Sequence, residues 1–194
     1  MKYLVALLLL LSVPLLAGEL PTLTVGEPVP SFALQNYDGK GYDLKSLLKE
    51  NKFTVVIFMS TECPVSNGYN ERMEKLYETF SKKGVAVVGI NANKAEDLKM
   101  IAAHCKEHGF KFPVLKDREN KIADLYGALV TPETFVINSA GKLLYHGRID
   151  DSRNIKKVTS NDLNDALDKL LSGKALTQTE ARAFGCSIKR ISAD

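Results

Sequence analysis

Two continuously apolar runs constrain this chain more than anything else in it: FTVVIFM at residues 53–59 and VAVVGIN at residues 85–91. Runs without polar alternation and rich in β-branched residues belong to strands covered on both faces. Between them Met73, Leu76, Tyr77 and Phe80 fall at i, i+3, i+4 and i+7, one apolar helical stripe, and Gly84 stands where that helix can end. Strand, helix and strand of this length make a βαβ unit, so the two strands are expected to be parallel.

The rest of the chain reads outward from that unit. SFALQNYDGKGYDL (31–44) carries an Asp-Gly turn signal between short alternating segments and predicts a hairpin. A second helix is expected over about 95–108, with Leu98, Ile101, Ala102 and Cys105 on one face. FPVL (112–115) and a short helix ending at Gly127 follow. TFVIN and KLLYHG, joined by Ser139-Ala140-Gly141, predict an antiparallel hairpin. A last helix at about 161–172 presents Leu163, Ala166, Leu167, Leu170 and Leu171 on one face, after Ser160 as N-cap. This order predicts an α/β sheet with helices on both faces. The segment after Gly173 has no periodicity and is expected to be irregular.

Compartment and partners are bounded by the N-terminus and the charge. Met1 and Lys2 precede the apolar run Tyr3–Leu16, and small residues end at Ala17. Residues 1–17 are therefore expected to be a signal peptide, the run being shorter than the roughly 20 residues of a spanning helix. The expected location is exported, periplasmic or otherwise extracytoplasmic, with membrane attachment only through an uncleaved signal. Residues 18–194 are then one domain, its core at about 24–173 and its tail at 174–194. The 26 basic and 23 acidic residues are spread along the chain, which gives no electrostatic footprint for nucleic acid.

The three cysteines carry the chemistry, since disulfides persist in an oxidising compartment and an odd count leaves a thiol unpaired. Cys63 stands at the junction of the first buried strand and the helix after it, outside the carboxyl end of a strand, where α/β sheets place their reactive groups. Pro64 suits a first helical position, which puts Cys63 at the N-cap, where free N–H groups favour a thiolate. Ser66 is expected to donate its hydroxyl to that thiolate, and Glu62 opposes it with a like charge. Cys105 continues the apolar face of its helix and reads as inert core. Cys186 reads in two ways, as a resolving thiol for Cys63 or as a structural thiol, buried or bridged to Cys105. His104 and His108 have the i, i+4 spacing of zinc ligands but read better as a solvated helix face; His146 lies before GRIDD (147–151), which is either a turn at the site's rim or a salt-bridged loop. No metal and no cofactor is expected.

FMSTECPVS, VTPETFVINSAGKLLYHGRIDD and AFGCSIKR together resemble the redoxin branch of the thioredoxin superfamily, the alkyl hydroperoxide reductase and thiol-specific antioxidant group. The resemblance implies a thioredoxin fold: a central mixed sheet flanked by helices, with an N-terminal hairpin and an irregular C-terminal tail. It also implies a cis Thr131–Pro132 peptide against Cys63, with Thr131, Pro132 and Pro64 as substrate-binding residues and the Thr131 backbone free to pair with an extended peptide. The chain departs from that pattern in three respects. Ser66 stands where dithiol thioredoxins carry a second cysteine. Peroxiredoxins have a Pro where this chain has Val56, and a Thr or Ser at Ser60. They also place an Arg near the position of Pro132, leaving open whether Arg72 or Arg148 substitutes. Copper chaperones of the Sco type need the cysteine that Ser66 replaces. Three functions remain: a single-cysteine oxidoreductase acting on disulfides or sulfenic acids of other proteins with a thiol reductant as partner; a peroxidase taking hydroperoxides on Cys63, resolved by Cys186 or an external thiol; and a non-catalytic binding module.

Overall fold

The computed structural model describes residues 23–191, and the expected signal peptide lies outside the described residues. The N-terminal hairpin forms from β1 (Ala33–Asn36) and β2 (Gly41–Asp43), followed by α1 (Leu44–Glu50). Next come β3 (Phe53–Phe58), α2 (Pro64–Asn67), α3 (Asn70–Phe80) and β4 (Val85–Asn91). Then follow α4 (Leu98–His108), β5 (Val114–Lys116), α5 (Lys121–Tyr126) and β6 (Val130–Thr131). The chain continues through β7 (Glu133–Asn138), β8 (Leu143–Gly147), α6 (Asp162–Leu171), β9 (Glu180–Ala181) and β10 (Cys186–Ser187). The main sheet has the order β2-β1-β5-β4-β3-β7-β8-β9, and β10 pairs with β6 in a separate two-stranded ladder.

The two apolar runs lie side by side and parallel, registered from Phe53↔Val85 to Phe58↔Ile90, while β7 runs antiparallel on the other edge of β3. The sheet is therefore mixed. Alternation along β3 sends Val55 and Ile57 to one face and Val56 and Phe58 to the other. The first face is covered by Met73, Leu76 and Phe80 of α3, Ile101 and Cys105 of α4, and Leu163, Ala166 and Leu167 of α6. The second is covered by Leu44 of α1 and by Ile122, Ala123 and Tyr126 of α5. Gly84 and Gly127 end their helical segments with φ of +85° and +62°, the left-handed backbone that a residue without Cβ adopts most readily.

Four expectations need correction. The helix after Cys63 is two helices: α2 stops at Gly68, a weak helix former, and Tyr69 turns its hydroxyl to Asp150 at 3.0 Å before α3 begins. The α6 N-cap position is Asn161, and Ser160 instead donates its hydroxyl to Asp162 at 2.9 Å. His104 is not solvated: it is 7% exposed and packed against the rings of His108 and Phe110, and burial first, then His108, hold its pKa below the ordinary value. The tail is less irregular than its composition suggests. β9 joins the main sheet beside β8, and β10 crosses back to the site at the carboxyl end of β3.

Candidate functional site

The site begins with the loop that leaves β3. Ser60 and Thr61 are tied to Glu96, which is 2% exposed: the Ser60 hydroxyl donates to Oε1 at 2.6 Å, and the Thr61 N–H and hydroxyl donate to Oε2 at 2.6 and 2.7 Å. Asn91, at the end of β4, donates to the same oxygen at 2.6 Å and accepts from the buried Lys116 ammonium at 3.0 Å. Burial raises the Glu96 pKa, but these donors outweigh it and hold the carboxyl below its ordinary value. The Ser60 hydroxyl oxygen in turn accepts from the Cys63 N–H at 2.9 Å, so a buried carboxylate fixes the backbone that carries the thiol.

Cys63 caps α2 and is 5% exposed. Its Sγ accepts the Ser66 N–H at 3.3 Å and lies 3.4 Å from the Thr131 carbonyl oxygen, to which the thiol donates. The Thr131–Pro132 peptide is cis. The tail closes the site from the other side: β10 pairs antiparallel with β6, with Cys186 opposite Thr131 and Ser187 opposite Val130. Cys186 thus stands against the same residue whose carbonyl oxygen lies 3.4 Å from Cys63 Sγ. Burial pushes the Cys63 pKa up; the Cys186 thiol, the Ser66 N–H, the Thr131 side chain and the Cys186 N–H more than offset it, and the thiol sits below its ordinary value. The neighbouring Cys63 first, and then burial, push the Cys186 thiol up.

The structure thus brings Cys63, Pro64, Ser66, Thr131, Pro132 and Cys186 together. Both cysteines are free thiols, as is Cys105, which is enclosed in the core with its pKa raised to about 12 by burial. Ser66 contributes differently from the expectation: its N–H faces Cys63, while its hydroxyl oxygen accepts the Ser60 N–H at 3.2 Å. Glu62 is exposed. Neither arginine serves Cys63. Arg72 binds Asp150 and stacks 3.6 Å over the Tyr69 ring, and Arg148 binds Asp162 at 2.7 Å. GRIDD is a salt-bridged loop that also braces the rim, because Asp150 holds Tyr69 and Tyr69 packs edge-on against Phe184 of the tail. His146 stacks on Phe135 and bonds Glu133 at 2.7 Å, and the other Glu133 oxygen accepts the Leu129 and Val130 N–H groups, fixing the approach to the cis peptide. Among the described residues no three His, Cys, Asp or Glu side chains group as a metal site. Neither Glu96 nor Glu133 is singled out in the sequence: Glu96 stands at the start of the expected second helix, and Glu133 lies in the VTPETFVIN stretch, where only Thr131 and Pro132 have an expected role.

The coupling of the two thiols has a reciprocal consequence. Cys63→Ala is expected to lower the Cys186 pKa, because the largest cause of its rise is lost. Cys186→Ala is expected to raise that of Cys63, because the largest of the contributions that lower it, the Cys186 thiol, is lost. The pH dependence of alkylation, read site by site by mass spectrometry, checks both signs.

The sequence model of the AhpC/TSA family matches residues 25–146, a stretch that includes Cys63 and the Thr131–Pro132 peptide and ends before Cys186. The thiol-disulfide oxidoreductase ResA of Halalkalibacterium halodurans is 30% identical over 119 residues, which are 61% of this chain and 65% of that protein, so the match spans just under two thirds of that relative. A hypothetical protein from Sinorhizobium meliloti has a crystal structure similar to this one with a TM-score of 0.83 and 34% identity, covering 89% of this chain and 98% of that one. The thioredoxin domain of a thiol-disulfide oxidoreductase from Bacteroides vulgatus covers 77% of this chain and 99% of that one, with a TM-score of 0.63 and 15% identity. The fold is the thioredoxin fold.

Proposed function

We propose that this chain, which belongs to the AhpC/TSA family, is an exported thiol–disulfide oxidoreductase with Cys63 as nucleophile and Cys186 as resolving thiol. The observation that carries the reading is the placement of two free thiols on either side of Thr131: Cys63 at the N-cap of α2 with its Sγ 3.4 Å from the Thr131 carbonyl oxygen, and Cys186 paired opposite Thr131, the first lowered in pKa and the second raised. A lowered pKa enlarges the share of the attacking thiolate on Cys63, and the neighbouring thiol supplies the second sulfur. The apolar N-terminal run supports export, and the likeness to ResA supports disulfides of other proteins as substrates.

The steps balance without a cofactor. Cys63 Sγ attacks one sulfur of a substrate disulfide; a mixed disulfide forms, and the other substrate sulfur leaves as a thiolate that takes up a proton. Cys186 Sγ then attacks Cys63 Sγ, closing a 63–186 disulfide and releasing the second substrate thiol. The substrate is reduced, the pair is oxidised, and an external thiol reductant restores it.

One observation favours a second reading. Cys63 is only 5% exposed, an opening that suits a small oxidant better than a protein. A hydroperoxide attacked by Cys63 would yield a sulfenic acid and water or an alcohol, and Cys186 would condense with the sulfenic acid, losing water. Against it stands the engagement of Arg72 and Arg148 with Asp150 and Asp162 instead of Cys63.

Insulin reduction and hydroperoxide consumption, each with an excess of dithiol reductant, separate the two. The oxidoreductase reading predicts insulin turnover by the natural chain and, with the reductant left out, capture of Cys186→Ser as a mixed disulfide with insulin. Fast hydroperoxide consumption with no insulin turnover would overturn it.

A further inference from the structure

We propose that the tail segment Phe184–Ile188 is a built-in pseudosubstrate, and that this enzyme's substrates are extended segments of the same pattern: aromatic, glycine, cysteine, any residue, aliphatic. The inference rests on the thiol–disulfide reading and names the substrate class it leaves open.

The segment occupies the backbone edge where an external strand would add. Thr131 and Val130 are already paired, with Cys186 opposite Thr131, so the edge beside the cis peptide is filled by the chain itself. The ladder continues through the Ile188 N–H, which donates to the Leu129 carbonyl at 2.9 Å. A substrate strand can pair there only when this one lifts away.

Each position of the segment meets a distinct feature of the protein. Phe184 and Ile188 flank the paired residues Cys186–Ser187 and pack against the two opposite layers of the core. Phe184 packs against Tyr69 with ring centroids 6.3 Å apart, and Tyr69 is itself held by Asp150 and Arg72. Cys186 stands opposite Thr131, whose carbonyl oxygen lies 3.4 Å from Cys63 Sγ. Ile188 is 5% exposed in the apolar cluster that holds Ile122, Tyr126 and Ala128. Gly185 passes so close to Thr131 that a Cβ would stand 1.9 Å from its carbonyl oxygen and 2.7 Å from its carbonyl carbon. Backbone, unlike a flexible side chain, cannot yield there, so the residue before the paired cysteine has to be glycine. Ser187 is exposed and unspecified.

Exchange between the two strands gives the cycle its order. A substrate strand displaces the tail and sets its disulfide-bonded cysteine opposite Thr131. Cys63 attacks that sulfur, and the substrate's other sulfur leaves as a thiol. The returning tail expels the strand, and Cys186 attacks Cys63, closing the 63–186 disulfide and releasing the strand's cysteine as a thiol.

The test uses the full chain and a peptide, Ala-Phe-Gly-Cys-Ser-Ile-Lys, activated at its cysteine as a thiopyridyl disulfide, whose release is read by absorbance. The proposal predicts that replacing the peptide's glycine by alanine slows the reaction by about tenfold to a hundredfold, the range set by one overpacked contact. It also predicts that Gly185→Ala and, independently, Ile188→Ser accelerate reaction with the glycine peptide by about tenfold or more, because each loosens the competing tail. Circular dichroism identifies a variant that fails to fold, and the peptide comparison in the natural chain needs no variant. Equal rates for the two peptides, or unchanged rates in both folded variants, would overturn the proposal. Dithiodipyridine, a small disulfide without a strand, distinguishes the failures: if it reacts with Cys63 while the peptides do not differ, the pseudosubstrate is wrong and the thiol chemistry stands. If Cys63 is inert to it, the thiol reading falls and this one with it.

Discussion

Replacing Glu96 by Ala is expected to destabilise the protein by about 3–5 kcal/mol, the cost of removing one partner from a buried, charged hydrogen-bond network. Glu96 accepts from the Ser60 hydroxyl, both donors of Thr61 and the Asn91 amide, and none of these has a substitute within the loop. For a chain of this length each kcal/mol moves the melting temperature by about 2–4 °C, so a fall of roughly 10 °C is expected. The pH dependence has a definite sign. The folded pKa of Glu96 is depressed, so its contribution is fully present above the ordinary glutamate value and is lost as pH falls through the lowered folded value. The stability gap between the natural chain and Glu96→Ala should therefore narrow in acid. Thermal melts at neutral pH and in acid check both parts; a neutral-pH fall of only about 2 °C would contradict the network's role.

Cys63→Ser is expected to cut disulfide turnover by about a thousandfold or more, as removal of a nucleophile does, while leaving the fold intact. Serine is a good N-cap, and its Oγ can accept the Ser66 N–H that Cys63 Sγ now accepts. The variant should therefore melt within a few degrees of the natural chain, at most about 1 kcal/mol away. Loss of activity together with a large loss of stability would assign Cys63 to structure instead of chemistry. Turnover retained in Cys63→Ser would move the nucleophile to Cys186.

The elements built from long periodic segments were legible in the sequence. The runs at 53–59 and 85–91 alternate their side chains into two apolar layers, and no other arrangement buries Val55 and Val56 together. The placement of Cys63 was legible as well, because Pro64 marks the first helical position locally. The break at Gly68 was not, since it depends on Asp150 arriving from β8's far end to hold Tyr69. Glu96 sits in NKAEDLK, a stretch that reads as a solvated helix start; only the return of the β3 loop over it makes it buried. His104 is buried by Phe110, beyond its own helix. β9 and β10 have two residues each, too few to show a period, and their existence is decided by partners far along the chain. The tail sets Cys186 opposite Thr131, a pairing no local spacing encodes.

The measurement that tests this account most directly is disulfide mapping of the full chain after one stoichiometric reaction with a protein disulfide, quenched in acid and read by peptide mass spectrometry. The account predicts a single new bond between Cys63 and Cys186, with Cys105 still a free thiol and the substrate recovered reduced. A bond from Cys186 to Cys105, or Cys63 left as a free thiol while the substrate is reduced, would contradict it.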